Sequence, residues 1–167
     1  MEKIIIYATR YGTAKKYANY LAERLNLPLF SIEEITEAQL KGHTVIFISA
    51  VYAGSLMHLK DLLKVSDPQQ EVQILTVGLT DPENQEKIQE IFNLAQQNAN
   101  GKRLVFLGHL PGALTYDQLS FLHKTFIKGI HATSKNKSEV SDEVKLLRDV
   151  YKSSLDFVDF SRLDQLT

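Results

Sequence analysis

The 167-residue chain has no cysteine. That excludes disulfides, thiolate metal ligands, cysteine-bound iron–sulfur clusters and cysteine nucleophiles. No apolar run approaches the roughly 20 residues that span a bilayer as a helix. The opening "MEKIIIYATR" turns polar too soon to be the hydrophobic region of a signal peptide. A large charge of either sign is also missing. With 19 Lys and Arg against 20 Asp and Glu, the overall field calls for no nucleic-acid partner. The five histidines (His43, His58, His109, His123, His131) lack the spacing of a metal site, and no Ser/His/Asp set stands out. These absences leave a cytoplasmic protein of a size usual for one domain, 1–167, able to touch a membrane without crossing it.

What is present is organised by short apolar runs: Ile4 to Tyr7, Val45 to Ser49, Val72 to Val77 and Leu104 to Leu107. Continuous apolar runs of this length, bounded by turn residues, suit strands covered on both faces. Leu29 to Ser31 adds a short fifth. Helix-period segments lie between them at Ala14 to Leu25, Ser55 to Lys64 and Glu83 to Ala99, with Pro82 expected at a first helical position. Strands alternating with helices imply an α/β fold, a parallel sheet with helices on both sides.

Beyond the fifth strand a helix is expected from about Tyr116 to Ile130, with Leu119, Leu122, Phe126 and Ile130 as its inward stripe. A polar loop, Ala132 to Ser138, follows. A last helix would then turn Val144, Leu147, Tyr151, Leu155 and Val158 to the core. Charge is segregated here: residues 101 to 137 hold 6 basic and 1 acidic side chain, whereas 138 to 167 hold 4 and 7. Surplus apolar residues beside lysines in Tyr116 to Lys137 suit either a face laid on the sheet or contact with anionic lipid or a redox partner.

In open parallel sheets ligands bind beyond the carboxyl ends of the strands. After the first strand comes Thr9-Arg10-Tyr11-Gly12-Thr13-Ala14. Such a loop before a helix is either a turn and cap, or an anion site in which unpaired amides and hydroxyls hold a phosphate. It has neither the Gly-x-Gly-x-x-Gly of dinucleotide sites nor the Gly-Lys-Ser/Thr of a P-loop. The acidic strand ends of a phospho-acceptor domain are absent too, since those ends are Ala8-Thr9 and Ser49-Ala50.

"TRYGTA" resembles the flavodoxin phosphate loop, Thr-x-Ser/Thr-x-Thr-Gly/Ala, at Thr9, Thr13 and Ala14. Tyr11 stands where Ser or Thr is usual, a change shared with the flavodoxin-like protoporphyrinogen oxidase branch. "LGHLPGALTYDQLSFLHKTFIK" is similar to that branch as well, and the likeness runs nearly the length of the chain. The resemblance implies a three-layer sandwich with a five-stranded parallel sheet in the order 2-1-3-4-5. It further implies FMN, with its phosphate wrapped by Thr9, Arg10, Tyr11, Gly12, Thr13 and Ala14, and its ring passed by Ala50, Val51, Tyr52, Ala53 and Gly54. In this family a glycine beside the flavin N5, here Gly54, lets a peptide flip, a freedom that the missing Cβ supplies. Thr80 and Asp81 in the loop after strand four match by position alone, and that loop lacks the aromatic residue that stacks on the flavin in many flavodoxins.

The expected function is an FMN-binding oxidoreductase or electron-transfer protein, quinone-linked if it follows the protoporphyrinogen oxidase type. The flavin would carry the chemistry, with no catalytic side chain and a quinone or protein as redox partner. Tyr52 is either a ring-stacking residue or an ordinary loop aromatic. Arg10 either meets phosphate or quinone oxygens or is simply solvated. The alternatives are a mobile one-electron carrier, which would usually be markedly acidic, and a cofactor-free binding module.

Overall fold

The computed structural model describes residues 2–166. In chain order the elements are β1 (Lys3–Ala8), α1 (Thr13–Leu25), β2 (Leu29–Ser31), α2 (Glu37–Leu40), β3 (Thr44–Tyr52), β4 (Ser55–Leu56), α3 (Leu59–Val65), β5 (Val72–Gly78), α4 (Gln85–Gln97), β6 (Leu104–Pro111), β7 (Ala113–Thr115), α5 (Phe121–Ser134), α6 (Asp142–Asp149), β8 (Ser154–Asp156) and α7 (Ser161–Leu166). A single 3₁₀ turn, Tyr116–Gln118, leads into α5.

The main sheet runs β2-β1-β3-β5-β6 with every one of these pairs parallel. This is the expected 2-1-3-4-5 order, renumbered because the small strand β4 intervenes. Alternate residues supply the two faces. Ile4, Ile6, Val45, Phe47, Val72 and Ile74 meet Leu59, Leu62 and Leu63 of α3 and Ile91 and Ala95 of α4. Ile5, Ile46, Ile48, Leu75 and Val77 meet Ala14, Tyr17, Ala18 and Leu21 of α1 and Leu163 of α7. Both faces being covered explains why the strands read as unbroken apolar runs. Full burial of each such side chain contributes roughly 1.5–3 kcal/mol.

Several expectations are corrected. Ser55 to Lys64 is not one helix: Tyr52↔Ser55 and Val51↔Leu56 pair antiparallel, and helix begins only at Leu59. The turn between is Ala53-Gly54, with φ of 49° and 76°, a two-residue hairpin connection of the type that needs positive φ at both positions. Pro82 does not open α4. The N-cap is Asn84, whose side chain accepts from the Lys87 N–H at 3.1 Å.

The stripe proposed for the helix after β6 is out of phase. Leu119 is buried but precedes α5, whose N-cap is Ser120, while Leu122 and Phe126 face solvent and Ile127 is the buried apolar residue. The helix also runs on to Ser134, into the stretch expected to be loop. The last segment is not one helix either. After α6 the chain turns at Lys152, φ 56°, and Ser154–Asp156 pairs antiparallel with β7. Leu147, Tyr151 and Leu155 join a small core with Leu119, Ile127 and Val150, whereas Val158 packs on the main core beside α7. Residues between β6 and α7 thus form a cap of α5, α6 and the β7/β8 pair, standing on the carboxyl end of the sheet.

One buried hydroxyl ties this cap to the sheet. Tyr17 of α1, fully buried, donates to the Pro111 carbonyl at 2.7 Å and accepts from the Asp159 N–H at 2.9 Å. Burial raises the pKa of its phenol, so it stays a donor across the physiological range.

Candidate functional site

Three loops meet at the carboxyl ends of β1, β3 and β5, where the sheet order reverses and a crevice is expected. The first is the loop from Thr9 into α1. Gly12 is the N-cap at φ 90° and ψ −10°, a conformation strained for any residue with a Cβ. Its N–H donates to the Thr9 hydroxyl at 2.9 Å. The first intrahelical bond runs from Lys16 N–H to the Gly12 carbonyl, so the amides of Thr13, Ala14 and Lys15 precede the helical ladder. No acidic side chain occupies this first turn. Amides, two threonine hydroxyls and the positive end of the helix dipole therefore converge without a competing carboxylate.

The second loop is the β3/β4 hairpin, which carries Tyr52 outward, and the third is Gly78-Leu79-Thr80. Close approach fixes the third. The Gly112 N–H donates to the Gly78 carbonyl at 2.7 Å, and a Cβ on Gly112 would lie 3.0 Å from that oxygen. A bulge in the β5/β6 pairing, where Ile74 faces Phe106 but Leu75 faces Gly108, brings His109 opposite Thr76. The imidazole Nδ1 is 2.7 Å from the Thr76 hydroxyl and Nε2 is 3.2 Å from the Thr80 carbonyl. Only a neutral ring with its proton on Nε2 both accepts from Thr76 and donates to Thr80. Burial favours that form, pushing the pKa down from 6.5 to about 4 against the opposing pull of its backbone bonds.

These loops and the cap enclose a cleft of about 860 Å³, within the range of small-molecule sites. Thr9, Arg10, Tyr11, Thr13, Ala50, Val51, Tyr52, Ala53, Gly54 and Thr80 line it. Ala14 is buried in the first turn of α1 below the loop, and Gly12 enters through its backbone. Asp81 stays outside: it is solvent-exposed and accepts from the Glu83 N–H at 2.9 Å. Arg10 is exposed, with its guanidinium 5.9 Å from the Tyr11 ring centroid and 5.5 Å from that of Tyr52.

His123 was not foreseen as part of this site. It reaches down from α5 between two tyrosines, Nδ1 against the Tyr11 hydroxyl and Nε2 against the Tyr52 hydroxyl. A neutral imidazole donates at one nitrogen and accepts at the other, which suits this place between two hydroxyls. Partial burial, then the charge of Arg10, lowers its pKa and keeps it neutral. The Tyr11 hydroxyl also lies 3.5 Å from the Ser120 N–H at the start of α5. One ring therefore joins the first loop, the hairpin and the cap. Opposite it the cleft continues between α4, α5 and α6, walled by Ile91, Leu94, Phe126, Ile127, Leu146 and Leu147. Lys87 stands at that end, 3.8 Å from Glu90 and 3.6 Å from Glu143. Among the described residues no group of three or more His, Cys, Asp or Glu is placed to hold a metal ion.

A doubly wound α/β domain with a Thr- and Gly-containing loop opening the first turn of α1 after β1 and a capped cleft at the strand ends defines the class of protein. The family model of the flavodoxin domain matches residues 4–141, and the chain belongs to that family. Similar solved structures include a flavodoxin from the domain Archaea, at 13% identity over 91% of this chain and 97% of that one, TM-score 0.45. A flavodoxin, WrbA-like protein from Agrobacterium tumefaciens is 17% identical over 62% and 74%, TM-score 0.44. The Trp repressor binding protein from Bacillus subtilis is 17% identical over 66% and 83%, TM-score 0.41. No curated protein matches.

Proposed function

We propose that this chain binds FMN in the cleft and serves as a flavin-dependent oxidoreductase or electron-transfer protein. Flavodoxin domains typically bind FMN, and the observation that carries the reading here is the loop Thr9–Ala14. A left-handed glycine opens the first amides of α1 toward a cleft that continues along Val51–Gly54 and Gly78–Thr80. A phosphate dianion matches the donors of that loop, and a planar ring matches the largely apolar walls beyond it. When bound, FMN supplies one- and two-electron redox chemistry. The protein's part is to hold the phosphate at the amides of α1, to shape the cleft through the His109 and Gly112 contacts, and to cover it with α5.

A quinone-linked dehydrogenase of the protoporphyrinogen oxidase type is the finer reading we favour over a mobile one-electron carrier. It is supported by the apolar continuation of the cleft between α4, α5 and α6, which leaves room for a second, lipophilic molecule, and by a net charge of only −1. The first experiment is an absorbance spectrum of the purified protein, repeated after addition of FMN and desalting. Retained flavin bands are expected, and a colourless protein that refuses FMN refutes the cofactor assignment. Steady-state turnover with a soluble quinone then separates enzyme from carrier.

A further inference from the structure

Helix α5 turns outward what most helices bury. Phe121, Leu122 and Phe126 are 82%, 76% and 62% exposed. At about 100° per residue they share one arc of about 140° on the solvent side of the helix. Their protrusion contrasts with the inner face, where Ile127 and Ser134 are buried and His123 holds the two tyrosines.

Lysines border that arc on one side. Lys124, Lys128 and Lys135 lie at about 300°, 340° and 320° when Phe121 is set to zero, and Lys137 follows in the next turn of chain. Lys128, Lys135 and Lys137 are exposed. Lys124 is committed locally, donating to the Asp117 carbonyl at 2.8 Å and lying 5.9 Å over the Tyr116 ring. From residue 118 to 138 there is no Asp or Glu. The nearest acids in sequence are Asp117 before the helix and Glu139, Asp142 and Glu143 after it.

We infer that this face of α5 docks on an anionic lipid surface. A basic border beside protruding aromatic and aliphatic side chains is the arrangement by which an amphipathic helix lies in the headgroup region. Three separate projections suit a deformable interface better than the shaped pocket of a protein partner, and charge complementarity selects anionic over neutral lipid. Phe126 belongs both to this face and to the wall of the cleft, so docking brings the mouth of the cleft to the bilayer. The inference stands apart from the FMN assignment, since it rests on the outer face of the cap.

The test is sedimentation of the full-length protein with vesicles of phosphatidylcholine containing a quarter phosphatidylglycerol, beside pure phosphatidylcholine vesicles, with and without added FMN. Binding is expected only to the anionic vesicles and irrespective of FMN. Lys128→Glu with Lys135→Glu should weaken it at least about tenfold, each lysine near such a surface being worth about fivefold. Phe121→Ser with Leu122→Ser should weaken it as well while leaving the melting temperature in place, because both side chains are exposed. Absence of binding by the parent, equal binding to both vesicle types, or variants that bind like the parent would each overturn the proposal. A concentration-dependent dimer without vesicle binding would overturn it in favour of a second copy as the occupant.

Discussion

The buried His109 gives the fold an acid sensitivity with a calculable size. Its native pKa is depressed from 6.5 to about 4, so above pH 6.5 both native and unfolded chains hold a neutral imidazole and its contribution to stability is fully present. Between pH 6.5 and about 4 the unfolded chain takes up a proton that the native chain refuses. Stability therefore falls with pH across that window and levels off below it. At about 1.4 kcal/mol per pH unit the whole window is worth about 3 kcal/mol, and about 2 kcal/mol is already lost at pH 5. Urea unfolding at constant ionic strength from pH 7.5 to 4.5 measures the slope, but native carboxylates contribute to it too. His109→Gln isolates the effect, because its amide keeps a donor toward the Thr80 carbonyl and does not titrate. The parent should lose about 2 kcal/mol more than the variant between pH 7 and 5. Parallel curves for the two proteins would refute the reasoning.

Thr13→Asp places a carboxylate where the phosphate is proposed to sit and should lower FMN affinity at least about a hundredfold. An acid in the first turn of α1 suits the helix dipole, so thermal melting without FMN should be unchanged or slightly raised; a weakened fold, or unaltered FMN titration, contradicts the site. Tyr17→Phe leaves the Pro111 carbonyl and the Asp159 N–H without their partner. The expected cost is about 2 kcal/mol, a fall in melting temperature of about 4–8 °C for a chain of this size, and an unshifted midpoint would show the hydroxyl to be dispensable. Gly112→Ala drives a Cβ to 3.0 Å from the Gly78 carbonyl. It should cost about 1–3 kcal/mol and weaken FMN binding by displacing the 78–80 loop; equal stability and affinity in paired unfolding and titration experiments would count against the close approach.

The parallel sheet was readable because its strands are buried on both faces, and the unbroken run "KIIIYA" has few other ways to satisfy its apolar side chains. The strand ends that carry the cleft followed from the same alternation. The hairpin was not readable, since "SLMHLKDLLK" keeps helical spacing throughout and only the positive φ of Ala53 and Gly54 folds Ser55 and Leu56 back onto β3. A stripe that starts at Leu119 falls out of phase with α5, because Leu119 lies before the helix. Ser120, whose hydroxyl accepts from the His123 N–H at 3.4 Å, was a readable cap that would have placed the start correctly. The steps from Val144 to Val158 also fit a helix, yet pairing with β7 wins at Ser154–Asp156 after the left-handed Lys152. His123 had no local signal at all. Its partners Tyr11 and Tyr52 are 112 and 71 residues away, and only the cap's placement over the sheet brings them together.

Tyr17 holds the last residue of β6, where the chain departs for the cap, and Asp159, where it comes back. Just above that hydroxyl β7 and β8 run side by side, Ala113 opposite Asp156. The cap is thus a closed excursion with a two-stranded neck, entering and leaving the flavodoxin sheet at one place. A segment attached in this way hangs from the sheet at one point, so its solvent side can lengthen or shorten from the neck outward while β6 and α7 keep their seats. Its outer face can vary without touching the loop at Thr9–Ala14, but its inner face cannot, since His123 and the Ser120 N–H of α5 both meet the Tyr11 hydroxyl of that loop.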